Sequence, residues 1–341
     1  MKHKKRSPRA SMARLCILLG LILTGMVSFT GWYLNRSVPA SAERMEDATM
    51  SALETEILPS RETLQDIQND PENQPVQDVL APEETIGGSG SRIVNILLVG
   101  QDRLEGQGRT RSDSMILCTF NKRTREIILT SFLRDLYVEI PCYGSNRINA
   151  AYAYGGMELL EETLEHNFGI AVDGTVEVDF SGFSQIIDRL GGVDMELRED
   201  EAALITTETG YDTQAGMQHL CGDQALNYAR IRKLDADGDF SRTSRQRALM
   251  NAMLDAYRDA KLTTVLLLMN DVLPMISTDM GAGEIMGYAL ELFPMLSGSS
   301  VRQQHIPADG QFQNQNIDGM AVLVPDLEES RELLAQTLLG S

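Results

Sequence analysis

The chain has 341 residues, 43% hydrophobic and 23% charged, a balance close to that of folded soluble domains, which excludes wholesale disorder. Its formal net charge of −19 repels nucleic-acid phosphates, and no basic stripe or zinc-finger spacing offsets that, so DNA and RNA binding are excluded too. Any anionic substrate must be met by local positive charge.

Residues 1–14 form a basic tail carrying Lys2, Lys4, Lys5, Arg6, Arg9 and Arg14. Residues 15–34 follow as an uncharged, mainly apolar run from Leu15 to Leu34, and about 20 such residues span a bilayer as a helix. Basic flanks stay cytoplasmic, and Trp32 and Tyr33 sit where an interfacial aromatic belt would. The expected topology is therefore a single-pass anchor in the cell membrane with the remainder extracytoplasmic. Ala40-Ser41-Ala42 has the small-x-small form of a signal-peptidase site, which keeps a cleaved signal peptide as the rival reading, although the apolar run is long for one.

Residues 35–91 are rich in Glu, Asp, Gln, Asn and Pro, finish in Gly87-Gly88-Ser89-Gly90, and read as an acidic extracytoplasmic spacer. Within it, Met50, Leu53 and Ile57 keep the spacing of a helical stalk. The texture then changes to short β-rich runs at 93–99, 114–120 and 127–132, with Asn121-Lys122-Arg123-Thr124 as a hairpin turn. Strands are also predicted at 175–180 and 192–197, and helices at 150–166, 183–190, 222–229 and 244–260. Strands interleaved with helices imply a layered α/β domain, and without a compositional break residues 92–341 read as one domain. An oxidising exterior would permit a disulfide between Cys142 and Cys221, both in predicted loops, but spacing does not establish connectivity.

Chemistry concentrates just past strand ends, where open α/β sheets place their sites. The run Asn95 to Val99 leads into Gly100-Gln101-Asp102-Arg103, and Arg109-Thr110-Arg111-Ser112-Asp113-Ser114 leads into the next strand. Asp102 alone is an ordinary turn or capping residue. Asp102 and Asp113 together can hold one Mg²⁺, a hard cation that takes carboxylates and substrate phosphates, or they can form salt bridges to Arg103 or Arg111. Arg134 stands just beyond the third strand.

The densest signal is Gly222 to Arg232 followed by Asp239-Phe240-Ser241-Arg242-Thr243-Ser244-Arg245-Gln246-Arg247, which crowds arginines into an acidic chain. Arg230 and Arg232 would share one side of an extended segment, and Arg242 and Gln246, four apart, one face of a helix near its anion-attracting N-terminus. Leu249 and Met253 continue that face inward. Such a cluster either clamps a pyrophosphate through bidentate forks or pairs at the surface with Asp235, Asp237 and Asp239.

These segments follow an ordered pattern: Gly-x-Asp-Arg, Arg-Ser-Asp-Ser, Ser-x-x-Arg-Asp, Asn-Arg-Ile-Asn-Ala-Ala-Tyr, Gly-Gly-Val-Asp, Tyr-Ala-Arg-Ile-Arg and Gly-Asp-Phe-x-Arg-x-x-Arg-Gln. From Ile93 to at least Arg247 the chain resembles the LytR-CpsA-Psr family. The resemblance implies an α-β-α sandwich with a central mixed β-sheet, preceded by one N-terminal transmembrane helix. It also implies a Mg²⁺-assisted phosphotransferase that attaches a glycopolymer, such as teichoic acid or capsule, from a polyprenyl-pyrophosphate carrier to peptidoglycan. Carried over by position, Asp102 and Asp113 would hold the metal, and Arg103 and Arg111 would lie near the reacting phosphate. Arg134, Arg147, Arg230, Arg232, Arg242 and Gln246 would hold pyrophosphate. Arg147 replaces a usual lysine, and Phe132-Leu133 replaces a usual Ile-Pro before Arg134.

Phosphoryl transfer fits this residue set, because it needs positioning and charge neutralisation rather than a covalent nucleophile. Two rivals share much of it: a hydrolase in which water replaces the sugar hydroxyl, and a non-catalytic membrane-tethered lipid-binding or regulatory protein. A lipid binder would not need the Asp pair.

Overall fold

The computed structural model describes residues 85–88, 91–101, 110–235 and 238–340. The expected membrane run, the stalk, Asp102 and Arg103 lie outside these residues. Among the described residues no helix is long and apolar enough to cross a membrane.

Strands β1 (Ile93–Gln101), β2 (Ser112–Asn121) and β3 (Glu126–Phe132) form an antiparallel meander, with Ile96 opposite Cys118 and Cys118 opposite Leu129. Two later strands extend it in parallel: β6 (Gly174–Asp179) beside β1, and β10 (Ser300–Ile306) beside β3. The two-residue β9 (Ser277–Thr278) pairs antiparallel with β6, giving a mixed sheet in the order β10-β3-β2-β1-β6-β9.

Alternation along the strands sends apolar side chains to both faces. Leu97, Val99, Met115, Leu117 and Ile128 pack under helices α1 (Asn149–Phe168) and α8 (Leu327–Leu339). Val94, Ile96, Leu98, Ile116, Cys118, Ile127 and Leu129 pack under α5 (Asp239–Ala256) and α7 (Ala282–Leu296). The expected central mixed sheet is therefore present, with a helical layer on each side.

A second core gathers α2 (Phe180–Leu190), α3 (Glu199–Thr209), α4 (Gly222–Arg230) and the hairpin of β7 (Val193–Leu197) with β8 (Gly216–Leu220) around Ile187, Leu220, Ala225 and Leu249. Helix α4 starts hard against α2, since an added Cβ on Gly222 would lie 2.1 Å from the Ser184 carbonyl oxygen. Only glycine allows that approach, which sets where α4 delivers Arg230 and the residues after it. Hairpins β4 (Tyr137–Ile140)–β5 (Gly144–Arg147) and β11 (Phe312–Ile317)–β12 (Met320–Pro325) flank the sheet, and α6 (Leu262–Val272) leads from α5 toward β9.

Three sequence expectations are corrected. Helix α5 begins at Asp239 instead of Ser244, because Gly238 takes a left-handed φ of 47° and Asp239 places an acid in the first turn, where the helix dipole favours it. Helix α2 begins at Phe180 instead of Phe183, because the Asp179 side chain accepts a 2.7 Å bond from the Gly182 N–H and caps that end. The Cys142–Cys221 disulfide is not formed. Cys221 is a free thiol preceding α4, whereas Cys142 lies in the β4–β5 turn.

Candidate functional site

β1 and β2 finish side by side, Gly100 opposite Ser114 and Gln101 opposite Ser112. An added Cβ on Gly100 would meet the Ser114 Cβ at 3.1 Å, so the glycine keeps this edge of the sheet open. Asp113, next to Ser114, is the centre of the site.

Three arginines from three different elements converge on Asp113. Arg134, just past β3, donates through Nη1 to Asp113 Oδ1 at 2.7 Å. Arg232, two residues beyond α4, donates through Nη2 to the same oxygen at 3.2 Å. Arg242, in the first turn of α5, donates through Nη2 to the Asp113 carbonyl oxygen at 2.9 Å, and its Nη1 lies 3.8 Å from Oδ1. Gln246, one turn along α5, accepts from the Ser114 hydroxyl at 2.9 Å. The sequence spacing anticipated that Arg242 and Gln246 share a face, and the earlier start of α5 brings Arg242 into its first turn.

Asp239 supplies a further carboxylate, its Oδ1 2.7 Å from Arg242 Nη2 and 3.5 Å from Arg134 Nε. Neither Asp239 oxygen accepts a hydrogen bond of good geometry, and Arg242 Nε and Nη1 likewise lack acceptors, although Arg242 is only 2% exposed. Burial pushes the Asp239 carboxyl up to about 6, with Arg134 and Arg232 opposing and Asp135 and Asp113 reinforcing. Burial alone would lower the Arg134 pKa, but Asp239, Asp135 and Asp113 outweigh it and hold the guanidinium above its ordinary value. Asp135 lies 3.6 Å from Arg134 Nε and accepts from Arg147 Nη1 at 3.0 Å.

These residues border a cavity of about 530 Å³ lined by Arg134, Arg230, Arg232, Lys233, Arg242 and Gln246 among others. Five cationic side chains line it against two carboxylates, Asp113 and Glu208, so its field favours an anion in an otherwise acidic chain. Arg230 stands over the Phe180 ring, 4.4 Å from its centroid, which fixes the guanidinium at the cavity wall.

A second cavity of about 240 Å³ shares Gly100, Ser114, Phe180, Ala229, Arg230 and Gln246 with the first and is otherwise almost wholly apolar. It lies between Leu98, Val176 and Val178 of the sheet, Phe183 of α2, Leu226 of α4, and Leu249 and Met253 of α5. The α5 face thus runs from Arg242 through Gln246 to Leu249 and Met253, from charge into hydrocarbon, as its spacing implied.

Among the sequence-predicted residues, Asp113, Arg134, Arg230, Arg232, Arg242 and Gln246 line the charged cavity. Arg147 stands one step behind it, tied through Asp135 to Arg134, and Arg111 is exposed at the start of β2 outside the lining. Sequence reading passed over Asp135 as a site residue and treated Asp239 only as a surface partner. Its one signal was the Asp239–Arg242 spacing of three on a helix.

Among the described residues no group of three or more His, Cys, Asp or Glu side chains is arranged to hold a metal ion. The contacts that the arginines make with the Asp113 carboxylate all fall on Oδ1, leaving Oδ2 as a hard oxygen donor beside the anion cavity. That donor suits Mg²⁺, which binds through one or two carboxylates plus substrate phosphate and water.

Comparison with known proteins follows the same lines. The sequence pattern of the LytR_cpsA_psr family matches residues 58–337. The polyisoprenyl-teichoic acid–peptidoglycan teichoic acid transferase TagU of Bacillus mycoides is 40% identical over 172 residues, 50% of this chain and 55% of that protein. Regulatory protein MsrR of Staphylococcus aureus is 37% identical over 162 residues, 47% of this chain and 48% of that protein. The chain thus spans about half the length of the curated relatives it matches. Among solved structures, TagT with bound octaprenyl pyrophosphate lipid superposes with a TM-score of 0.57 at 25% identity, covering 77% of this chain and 99% of that one. The chain belongs to the LytR-CpsA-Psr family.

Proposed function

We propose that this protein is a membrane-tethered, extracytoplasmic phosphotransferase that moves a glycopolymer phosphate from a polyprenyl-pyrophosphate carrier onto peptidoglycan. The observation that carries this reading is the junction of the two cavities: an arginine-lined chamber sharing six lining residues with an apolar one. A carrier with a doubly anionic head and an isoprenoid tail has that same division. The octaprenyl pyrophosphate bound by TagT and the activity for which TagU is named support the choice of carrier and acceptor.

In this reading Arg134, Arg232 and Arg242 bind the pyrophosphate by exchanging contacts with Asp113 for contacts with phosphate oxygens, and Arg230 and Gln246 flank it. Forked N–H donors in a partly desolvated site stabilise the charge that develops as phosphorus changes partners. A wall-sugar hydroxyl oxygen bonds to the glycan-side phosphorus while the bridging P–O bond breaks and polyprenyl phosphate leaves with that electron pair. Asp102 or Arg103 orients the attacking hydroxyl, and the Asp102 carboxylate takes its proton. Asp113 Oδ2 and Asp102 would hold Mg²⁺, which supplies neutralisation of phosphate charge when bound.

The test uses the full chain in detergent with Mg²⁺, a polyprenyl-pyrophosphate glycan and peptidoglycan oligomers, with products followed by mass spectrometry. Joint release of polyprenyl phosphate and a glycan-modified oligomer, lost in Arg232→Ala, is the expected result. Lipid release without modified oligomer would replace the transferase with a hydrolase. Tight carrier binding without turnover would replace it with a binding protein.

A further inference from the structure

Strand β9 occupies the edge of the sheet and pairs with β6 at only two positions, Thr278 opposite Val176 and Ser277 opposite Glu177. Two ladder pairs hold an edge strand weakly, so its placement depends on side chains. They converge on Thr175 of β6, which is fully buried. The Thr175 N–H donates to Asp279 Oδ1 at 2.8 Å, the Thr175 carbonyl accepts from the Thr278 hydroxyl at 2.7 Å, and the Thr175 hydroxyl donates to Glu161 of α1. Glu161 in turn shares a hydrogen bond with Asp279. Met280 completes the seat over Gly174, where an added Cβ would lie 2.3 Å from its Sδ.

A hydrogen bond between two carboxyl groups needs one proton, because two carboxylates so close repel each other. Burial pushes the Glu161 carboxyl up to about 7, with Thr175 opposing and Asp279 and Glu158 reinforcing. Of the titratable groups on the elements packed around the pair, Glu158 of α1 adds like charge. Glu177 accepts from the Tyr152 hydroxyl, Asp173 from the Asn95 N–H, and Glu284 from the Gly281 N–H. Because the folded pKa of Glu161 lies above its ordinary 4.5, the stability its proton lends is complete below 4.5 and is lost as pH rises to about 7.

The segment held in this way is also cavity wall. Val272 and Ile276, just before β9, line the apolar cavity together with Val176 and Val178, which alternate with Thr175 and Glu177 along β6. β6 therefore presents the cavity on one face and the carboxyl pair on the other. We propose that Glu161 and Asp279 form a protonation latch: their shared proton closes β9 onto β6 and seals this wall of the apolar cavity, and its loss releases β9 and opens the wall. The latch stands on its own contacts. Its use, which is to admit the carrier's tail, rests on the reading of the cavity as the tail site.

Hydrogen–deuterium exchange of the full chain in detergent reads the latch without any ligand. From about pH 5 to about pH 7 the protection factors of peptides covering 272–281 are expected to fall about tenfold and then level off, while those covering β2 and β3 stay constant. Glu161→Gln and Asp279→Asn each replace one carboxyl by an amide that donates the bond without a proton to lose. In both variants the 272–281 factors should stay high and flat. A flat profile in the unsubstituted protein, the same fall in both variants, or an equal fall across the whole sheet would overturn the proposal.

Stopped-flow mixing with a polyprenyl pyrophosphate then tests the use. The ratio of association rates at the two ends of that pH window is expected to be severalfold larger in the unsubstituted protein than in Glu161→Gln, a comparison that cancels the titration of the phosphates themselves. Equal ratios would overturn the gating of the cavity. Absence of carrier binding altogether would sink the tail-site reading while the exchange result still decided the latch.

Discussion

Arg242 and Arg245 lie one turn apart on α5, both almost fully buried, and the protein treats them oppositely. Arg245 is satisfied throughout: Nε donates to Glu201 Oε1 at 2.8 Å, Nη1 to the Ile231 carbonyl at 3.3 Å, and Nη2 to Asp235. Asp235 also accepts from Arg198, closing a network that ties α3, the segment after α4 and α5 together. Arg242 faces three acceptors it meets only in part, with Nε and Nη1 unsatisfied and Asp239 pressed against it at 2.7 Å. The first arrangement needs nothing added, and the second leaves donors open beside a cavity. Unsatisfied donors alone do not mark a ligand site, because Arg247 is also buried with Nε and Nη1 unsatisfied yet lines neither cavity, and nothing in the structure explains it. The distinguishing feature of Arg242 is that its open donors border a chamber of net positive charge.

The largest expected effect would test the structural half of this contrast. Arg245→Met leaves Glu201, 4% exposed, as a buried carboxylate without its main partner, which should cost about 3–5 kcal/mol of stability in chemical denaturation. Pyrophosphate-lipid affinity of the folded fraction should not change. An unaltered midpoint would show that the Arg245 network does not hold the fold.

Next comes Arg242→Lys, which keeps the charge and removes the fork. Affinity for a polyprenyl pyrophosphate should fall by roughly one to two orders of magnitude, about 1.5–3 kcal/mol, with the melting temperature little changed. Equal affinity would mean that Arg242 acts as a generic cation.

Asp239→Asn sharpens the comparison through pH. The folded-state pKa of Asp239 is raised from 3.8 to about 6, so the folded protein binds this proton more tightly than the unfolded chain. The stability it lends is complete below 3.8 and is lost as pH rises to about 6. Asp239 is 19% exposed at its side chain, so the discounted effect is on the order of 1–2 kcal/mol. Denaturation midpoints across that window should decline less in Asp239→Asn than in the unsubstituted protein, and parallel curves would show that the carboxyl titrates normally. The smallest effect is Arg230→Lys, where a weakened contact with Phe180 should reduce carrier affinity by about two- to fivefold, read by calorimetry.

The sheet was legible where the sequence alternates or stays apolar, as at β1 to β3, whose inward residues are buried on both faces. β10 and β11 escaped because Ser-Val-Arg-Gln-Gln-His-Ile and Phe-Gln-Asn-Gln-Asn-Ile carry too few apolar residues to register as strands. They pair at an edge and in a separate hairpin, where burial does not dictate composition. α6 escaped for the opposite reason, since Val265 to Met269 is an unbroken apolar run that blurs the helical period.

At the site, Arg134, Arg232, Arg242 and Asp113 were reachable through ordered motifs, and the fold brings the three arginines together on Asp113. The division of labour between Arg242 and Arg245 was not reachable. Both belong to the same motif and both have aspartates nearby in sequence. Only the tertiary fold sends Asp235 toward Arg245 and Arg198 and Asp239 toward Arg242 and Arg134. Carboxylate pairing and open donors, which the sequence does not separate, are distributed between neighbouring buried arginines.

The most direct test of the account is calorimetric titration of a polyprenyl pyrophosphate into the full chain and into the Arg242→Met and Arg245→Lys variants, each checked for folding by circular dichroism. The account expects binding in the unsubstituted protein, near-complete loss in Arg242→Met and retention in Arg245→Lys. Retention in Arg242→Met, or equal loss in both variants, would contradict the assignment of the open arginine cluster to the carrier's pyrophosphate.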